Sequence, residues 1–287
     1  MYKRVVLCTN PQRDGDFALT RQVFEMFRAA GTEPLFCPLF KKYGTVPLAG
    51  FAEARELSEV LPAADILITF GGDGTLLYVA RAAAKYGVPI LGVNLGEKGF
   101  IAEVERCDMQ DILRAVNGEI GVERRMMLDI SIRRGRNMIY SDCALNDVVV
   151  RGITRVIDIS VFADNHRVLK YSGDGVIVAT PTGTTAYSMA AGGPIVEPSA
   201  ENIIITPICA HALFTRAFVL SPERVVRVET GDRTDHRAYI SVDGTEEVDI
   251  KAGDVIKVSK AARETRLVKI SDDSFYEKVF RKLGERK

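Results

Sequence analysis

The sequence predicts an α/β N-terminal domain with a doubly wound parallel sheet, then a largely antiparallel all-β C-terminal domain. A C-terminal helix is expected to return to the first domain. Three observations carry this. Up to about Val116, short Val/Ile/Leu runs alternate with stretches of helical period, the pattern of parallel βαβ units. From about Arg124 the runs become short, rich in Val and Ile, and separated by Gly, Asn and Asp, as in antiparallel sheets. After Asp272-Asp273-Ser274 comes one amphipathic stretch whose Tyr276, Val279, Phe280 and Leu283 form an apolar stripe that calls for a partner surface. The expected domains are 1–122, joined by 268–287, and 123–267.

In order, Val5 to Thr9 reads as a strand. A helix over about Asp16–Ala30 follows, with Phe17, Val23, Phe24 and Phe27 on one face and Gly31 as its stop. Glu33–Leu39 is a second strand, Ala52–Leu61 a second helix, Ala64–Phe70 a third strand. Leu76–Ala84 is helical, Val88–Val93 a fourth strand, and Met109–Val116 a helix that closes this half. Strands are then expected at Leu128–Arg133, Ala144–Val150, Val156–Phe162, Val176–Ala179 and Ile203–Thr206. Further ones are expected at Val225–Val228, Ala238–Val242, Val255–Val258 and Leu267–Ile270.

The chain has 287 residues, 38 of them basic and 38 acidic, so no excess charge invites nucleic acid or an acidic membrane surface. The longest apolar candidate, Ile203 to Leu220, contains His211 and Arg216 and does not read as a membrane span. Met-Tyr-Lys-Arg leads straight into a strand and does not read as a signal peptide. Cys8, Cys37, Cys107, Cys143 and Cys209 are widely spaced in apolar contexts, so reduced, buried thiols and a cytoplasmic location are expected. His211 is expected to be half-buried, and His166 and His236 solvated.

Chemistry concentrates in four stretches. Gly71-Gly72-Asp73-Gly74-Thr75 stands where a strand hands over to a helix, the place where open α/β sheets bind ligands. Glycine admits a phosphate close to the backbone, and the helix start offers N–H groups and positive partial charge. A capped turn would explain Asp73 but not three glycines. The stretch lacks the Lys-Ser/Thr of a P-loop, and Leu77 stands where the dinucleotide fingerprint needs its third glycine. Asn94 to Phe100 forms a second Gly-rich turn, an ordinary turn or part of the same crevice. Asn146-Asp147 interrupts an apolar strand, as a bulge or as a polar site. Gly173 to Gly193 runs from a strand into a loop with four Thr between 180 and 185, then Tyr187 and small residues. Its hydroxyls suit sugar and amide groups, and Tyr187 suits a base.

Taken together, these four stretches, in this order and at this length, resemble the NAD kinase family over nearly the whole chain. The resemblance implies phosphorylation of the 2′-hydroxyl of the adenosine ribose of NAD to give NADP, by ATP or polyphosphate, with a divalent metal such as Mg²⁺. It implies two domains with the cofactor in the cleft between them, and a homodimer or homotetramer. Asp73 falls on the proton acceptor and Gly74 on its binding partner. Asn146, Asp147, Asp174, Thr185, Ala186, Tyr187, Ser188, Met189 and Ala190 fall on NAD-binding positions, and Gly71, Gly72 and Thr75 are expected to hold the phosphate donor. No metal ligand is assigned. Ser172 stands where the family often has a basic residue, Thr245 where many members have Gln, and Lys98 where an apolar residue is usual. Rival readings are a lipid or sugar-phosphate kinase sharing the first motif, a non-catalytic NAD-binding regulator, and an NADP phosphatase.

Overall fold

The computed structural model describes residues 2–39, 50–96, 99–102, 104–105, 109–117, 121–212, 215–231, 237–245, 247–270 and 274–284. Lys98, Cys107, His236 and the Asp272-Asp273 lead of the last helix lie outside them. The chain forms two compact units, one of residues 1–124 and 265–287, the other of 125–264.

The first unit is a parallel sheet with the order β4-β3-β1-β2, where β1 is Arg4–Thr9, β2 Glu33–Pro38, β3 Ile66–Gly71 and β4 Ile90–Asn94. Its strands are continuous apolar runs because helices cover them: Val5, Leu7, Ile66, Ile68 and Leu91 are fully buried. Helix α1, Ala18–Ala29, turns Leu19, Val23, Phe24 and Phe27 inward, and Gly31 (φ +78°) ends it. The expected start at Asp16 is corrected to Ala18, because Asp16 and Phe17 take left-handed backbone angles. The helix expected over Ala52–Leu61 shrinks to α2, Leu57–Val60, with a 3₁₀ turn at Leu61–Ala63. Pro62 falls in that turn, and Ala54 instead bridges Phe36 of β2. Helix α3, Asp73–Ala84, follows β3. A two-residue strand β5, Val104–Glu105, pairs with β4, and α4 spans Met109–Asn117.

The second unit is antiparallel. Strands β6 (Gly121–Arg134) and β7 (Asn137–Ala144) form a hairpin. Then come β8 (Asp147–Gly152), β9 (Ile157–Ala163), β10 (His166–Gly173) and β11 (Gly175–Ala179). After the short helix α5 (Tyr187–Ala190) follow β12 (Ile203–Ile208), β13 (Phe218–Leu220), β14 (Val226–Thr230), β15 (Ala238–Val242), β16 (Val248–Ile250) and β17 (Asp254–Lys269). One sheet has the order β13-β12-β11-β8-β15-β16, and β10-β9-β14-β17 are neighbours in the other. Alternate residues of both, among them Val148, Val150, Val176, Val178, Ile240, Ile159, Val161, Val228 and Ile256, make one core. Each such side chain withdrawn from water contributes roughly 1.5–3 kcal/mol.

Three further expectations are corrected here. Ala144–Val150 is not one strand, since Leu145 and Asn146 turn the chain between β7 and β8. Val255–Val258 and Leu267–Ile270 belong to one strand, β17. The last helix, α6 (Phe275–Gly284), belongs to the first unit, but most of its stripe stays exposed: Val279 is half-buried, whereas Tyr276 is 64% and Phe280 81% exposed. Lys282 lies over the Phe100 ring instead, 5.4 Å from its centre.

Candidate active site

Asp73 is the first residue of α3, and Gly72 is the extended residue before it. Its carboxylate accepts three backbone N–H groups, from Phe100 to Oδ2 at 2.7 Å and from Ile101 and Ala102 to Oδ1 at 3.3 Å each. The turn after β4 brings those donors in. Leu95 N–H donates to the Gly71 carbonyl at 2.7 Å, and Asn94 Oδ1 accepts Gly96 N–H at 2.9 Å. The second Gly-rich turn therefore belongs to the Asp73 site. A Cβ at Gly99 would sit 2.8 Å from Asp73 Oδ1, and one at Gly71 only 2.3 Å from Thr75 Oγ1. At Gly72 and Gly74 it would meet nothing within 4 Å. Internal packing thus demands glycine at 71 and 99, whereas at 72 and 74 glycine leaves open space beside Asp73. Thr75 is buried, with its hydroxyl 3.4 Å from Asn10 Nδ2, so it braces the loop from behind.

Gly99→Ala should therefore displace the Asp73 carboxylate without unfolding the domain. A roughly tenfold loss of kcat is expected, with little change in Tm. Steady-state kinetics beside a thermal melt checks this, and unchanged kcat would show that the carboxylate tolerates the shift.

In the second unit the turn Leu145–Asp147 is held by its main chain. Asp243, at φ +49°, accepts N–H from Leu145 (2.9 Å), Asn146 (2.8 Å) and Asp147 (3.1 Å), and its own N–H donates to the Asp147 carbonyl at 3.0 Å. Thr180 completes the clamp, its hydroxyl donating to the Leu145 carbonyl at 2.6 Å and its N–H to the Asn146 carbonyl at 2.8 Å. A Cβ at Gly183 would lie 2.1 Å from the Asn146 oxygen, so only glycine lets the following loop close over the turn. The side chains are left over: buried Asn146 Oδ1 has no hydrogen-bond partner among the described residues. Orphaned buried acceptors are rare and call for an explanation such as a missing ligand. Asp147 is 5% exposed, and burial, with the like charge of Asp243 second, pushes its carboxyl up to about 7.

The threonines do other work than expected. Thr180 donates to the Leu145 carbonyl, Thr184 to the Pro181 carbonyl and Thr185 to the Thr182 carbonyl, and Thr182 accepts from Arg125. Their hydroxyls shape the loop rather than face outward. Ser188 is fully buried against Thr206 Oγ1 at 2.8 Å. Tyr187 packs partly on Val149, Ile177 and Ile204, on the other face of the β8/β11/β12 sheet. Thr185, Ala186 and Met189 are half-buried and Ala190 exposed, so this short turn can offer main chain and methyl groups. Asp174 is half-buried between β10 and β11, its N–H given to the Ile208 carbonyl at 3.1 Å. Ser172 donates to Asp158. His211 and Cys209 are exposed, against the half-buried histidine and buried thiol expected, while His166 is exposed as expected.

Sequence reasoning misses Asp243 and Thr180 as supports, and the main-chain donors of residues 100–102. The Asp243-Gly244 pair after a strand is the one available signal for the first of these. Among the described residues no three His, Cys, Asp or Glu side chains gather as a metal cage.

Residues 44–120 match the profile of the ATP-NAD kinase N-terminal domain, and residues 145–270 that of the ATP-NAD kinase C-terminal domain. An NAD kinase of Ruminiclostridium cellulolyticum is 35% identical over 99% of both chains. Another, of Caldanaerobacter subterraneus, is 38% identical over 99% of this chain and all of its own. Among solved structures, yeast NADH kinase complexed with NADH shares the fold at a TM-score of 0.84 and 23% identity, over 99% of this chain and 88% of its own. An NAD kinase from Archaeoglobus fulgidus in complex with ATP does so at 0.75 and 24%, over 98% of both.

Proposed function

The chain belongs to the NAD kinase family, and from that premise we propose how its residues phosphorylate NAD. The ribose 2′-oxygen attacks the terminal phosphorus of ATP or polyphosphate. An O–P bond forms, the bond from that phosphorus to the bridging oxygen of the departing ADP or shortened polyphosphate breaks, and the hydroxyl proton passes to Asp73. The observation that carries this is the Asp73 carboxylate, oriented by three main-chain donors beside two glycines whose Cβ positions are open. Backbone N–H groups of Gly71, Gly72 and Gly74 at the head of α3 face the donor phosphates in this reading, with Thr75 as the brace.

Asn146 and Asp147 hold the NAD nucleoside, the former through its unpartnered oxygen, the latter as donor or acceptor near neutral pH. Asp174 and residues Thr185, Ala186, Tyr187, Ser188, Met189 and Ala190 complete that subsite. Ser188 contributes main chain, since its hydroxyl is turned inward. A divalent cation fits here through the donor. Mg²⁺ in phosphoryl transfer is bound by substrate phosphates, water and one or two carboxylates, and Asp73 is the carboxylate beside those phosphates. When bound, it neutralises charge on the donor oxygens. A homodimer or homotetramer in the cytoplasm belongs to the same reading, and light scattering tests the assembly.

The deciding experiment incubates the purified protein with NAD, ATP and Mg²⁺. NADP and ADP should appear in equal amounts. ADP released only with diacylglycerol or fructose 6-phosphate, or NAD bound with no turnover, would overturn the proposal.

A further inference from the structure

From β1 the chain steps to β2 on one side, then returns to β3 on the other side of β1. In open α/β sheets the crevice outside the carboxyl ends of the strands at such a reversal is where ligands bind. One wall of that crevice is the Gly71–Asp73 loop after β3. The other is the loop after β1, residues 10–17, which the mechanism above does not use.

That second loop is rigidly built. Asn10 N–H donates to the Phe70 carbonyl at 2.9 Å, and Asn10 Nδ2 reaches Thr75 Oγ1 at 3.4 Å, so it is tied to both ends of the Asp73 loop. Asn10 Oδ1 in turn accepts Gln12 N–H at 2.9 Å. Asp14, 1% exposed, accepts Leu19 N–H, Thr20 N–H and the Thr20 hydroxyl at 3.0, 2.9 and 2.6 Å. Asp16 and Phe17 stand at φ 52° and 55°, angles that cost a non-glycine residue about 1 kcal/mol or more each and persist only where the surroundings over-determine them. Between these anchors Arg13 is carried out exposed, and its guanidinium makes no hydrogen bond or ion pair among the described residues.

The donor is a polyanion, and Asp73 adds another negative charge. Among the described residues of the loops after β1, β3 and β4 (10–17, 72–75, 95–96 and 99–102), Arg13 is the one lysine or arginine. We propose that Arg13 binds the outer phosphates of the phosphoryl donor, making the β1 loop the second wall of the donor site. A guanidinium on a fixed loop gives paired, charge-assisted hydrogen bonds to phosphate oxygens and offsets the repulsion from Asp73. The inference rests on the reading of this edge as the donor site.

The test compares wild type, Arg13→Ala and Arg13→Lys, with donor and NAD varied separately in the presence of Mg²⁺. Arg13→Ala should raise the KM for ATP about tenfold, leave the KM for NAD within twofold, and melt within about 2 °C of wild type. Arg13→Lys should recover part of the ATP affinity. An unchanged ATP KM, equal rises in both KM values, or a lysine variant no better than alanine would each overturn the proposal. Should wild type make no NADP, the kinase reading fails first. Calorimetry of ATP–Mg²⁺ with wild type and Arg13→Ala then decides on Arg13 alone, and equal affinities overturn it.

Discussion

Asp73→Asn is expected to lower kcat roughly 10²-fold or more while NAD affinity changes little. A ribose hydroxyl is a weak nucleophile at neutral pH, and an amide cannot accept its proton. The substitution keeps the shape of the side chain and adds one conflict. Phe100 N–H donates to one carboxylate oxygen, and Ile101 and Ala102 N–H to the other, so an amide must turn its NH₂ toward main-chain donors on one side. Kinetics with ATP and NAD, beside calorimetry with NAD alone, checks the claim. Near-full activity would remove Asp73 from the role of base, and loss of NAD binding would assign it to affinity instead.

The second large effect is on stability against pH. The Asp147 carboxyl is pushed up to about 7 by burial, with Asp243 adding to it, so the folded chain keeps a proton that the unfolded chain gives up near pH 4. Below about pH 4 both states are protonated and this group costs nothing. Stability should then fall as pH rises from about 4 to about 7, and level off above that. The loss across that window is on the order of 4 kcal/mol. Asp147→Asn should abolish this part of the slope and be more stable than wild type at pH 8. Urea unfolding of both proteins between pH 5 and 8 measures it; parallel curves would mean that Asp147 is already ionised in the folded chain.

How much of this is legible in the sequence follows from how local each signal is. The strands β1, β3 and β4 are nearly continuous apolar runs and β15 alternates cleanly, and the sequence places all four within two residues at each end. Strand β10 escapes because His166, Arg167 and Lys170 mask it, and β17 reads as two because Lys260, Arg263, Glu264 and Arg266 interrupt its apolar alternation. Those charges lie at exposed or half-buried positions of long strands, where composition resembles a loop. At the site, the Gly-Gly-Asp-Gly turn announces itself because its parts are contiguous. The clamp on Asn146 does not, since Asp243 lies 97 residues further along the chain. The threonines mislead for a related reason. A hydroxyl count cannot distinguish groups aimed at a ligand from groups that tie a tight loop to itself.

Because the three donors that hold Asp73 are peptide groups, those hydrogen bonds set no demand on the letters at positions 100 to 102, where only packing, as of the buried Ile101, constrains them. Evolution could exchange those letters and keep the device, with proline excluded for lack of a hydrogen to give. Relatives can thus share an identically aimed carboxylate with no common spelling opposite it, and a search for fixed letters would overlook the part that does the aiming.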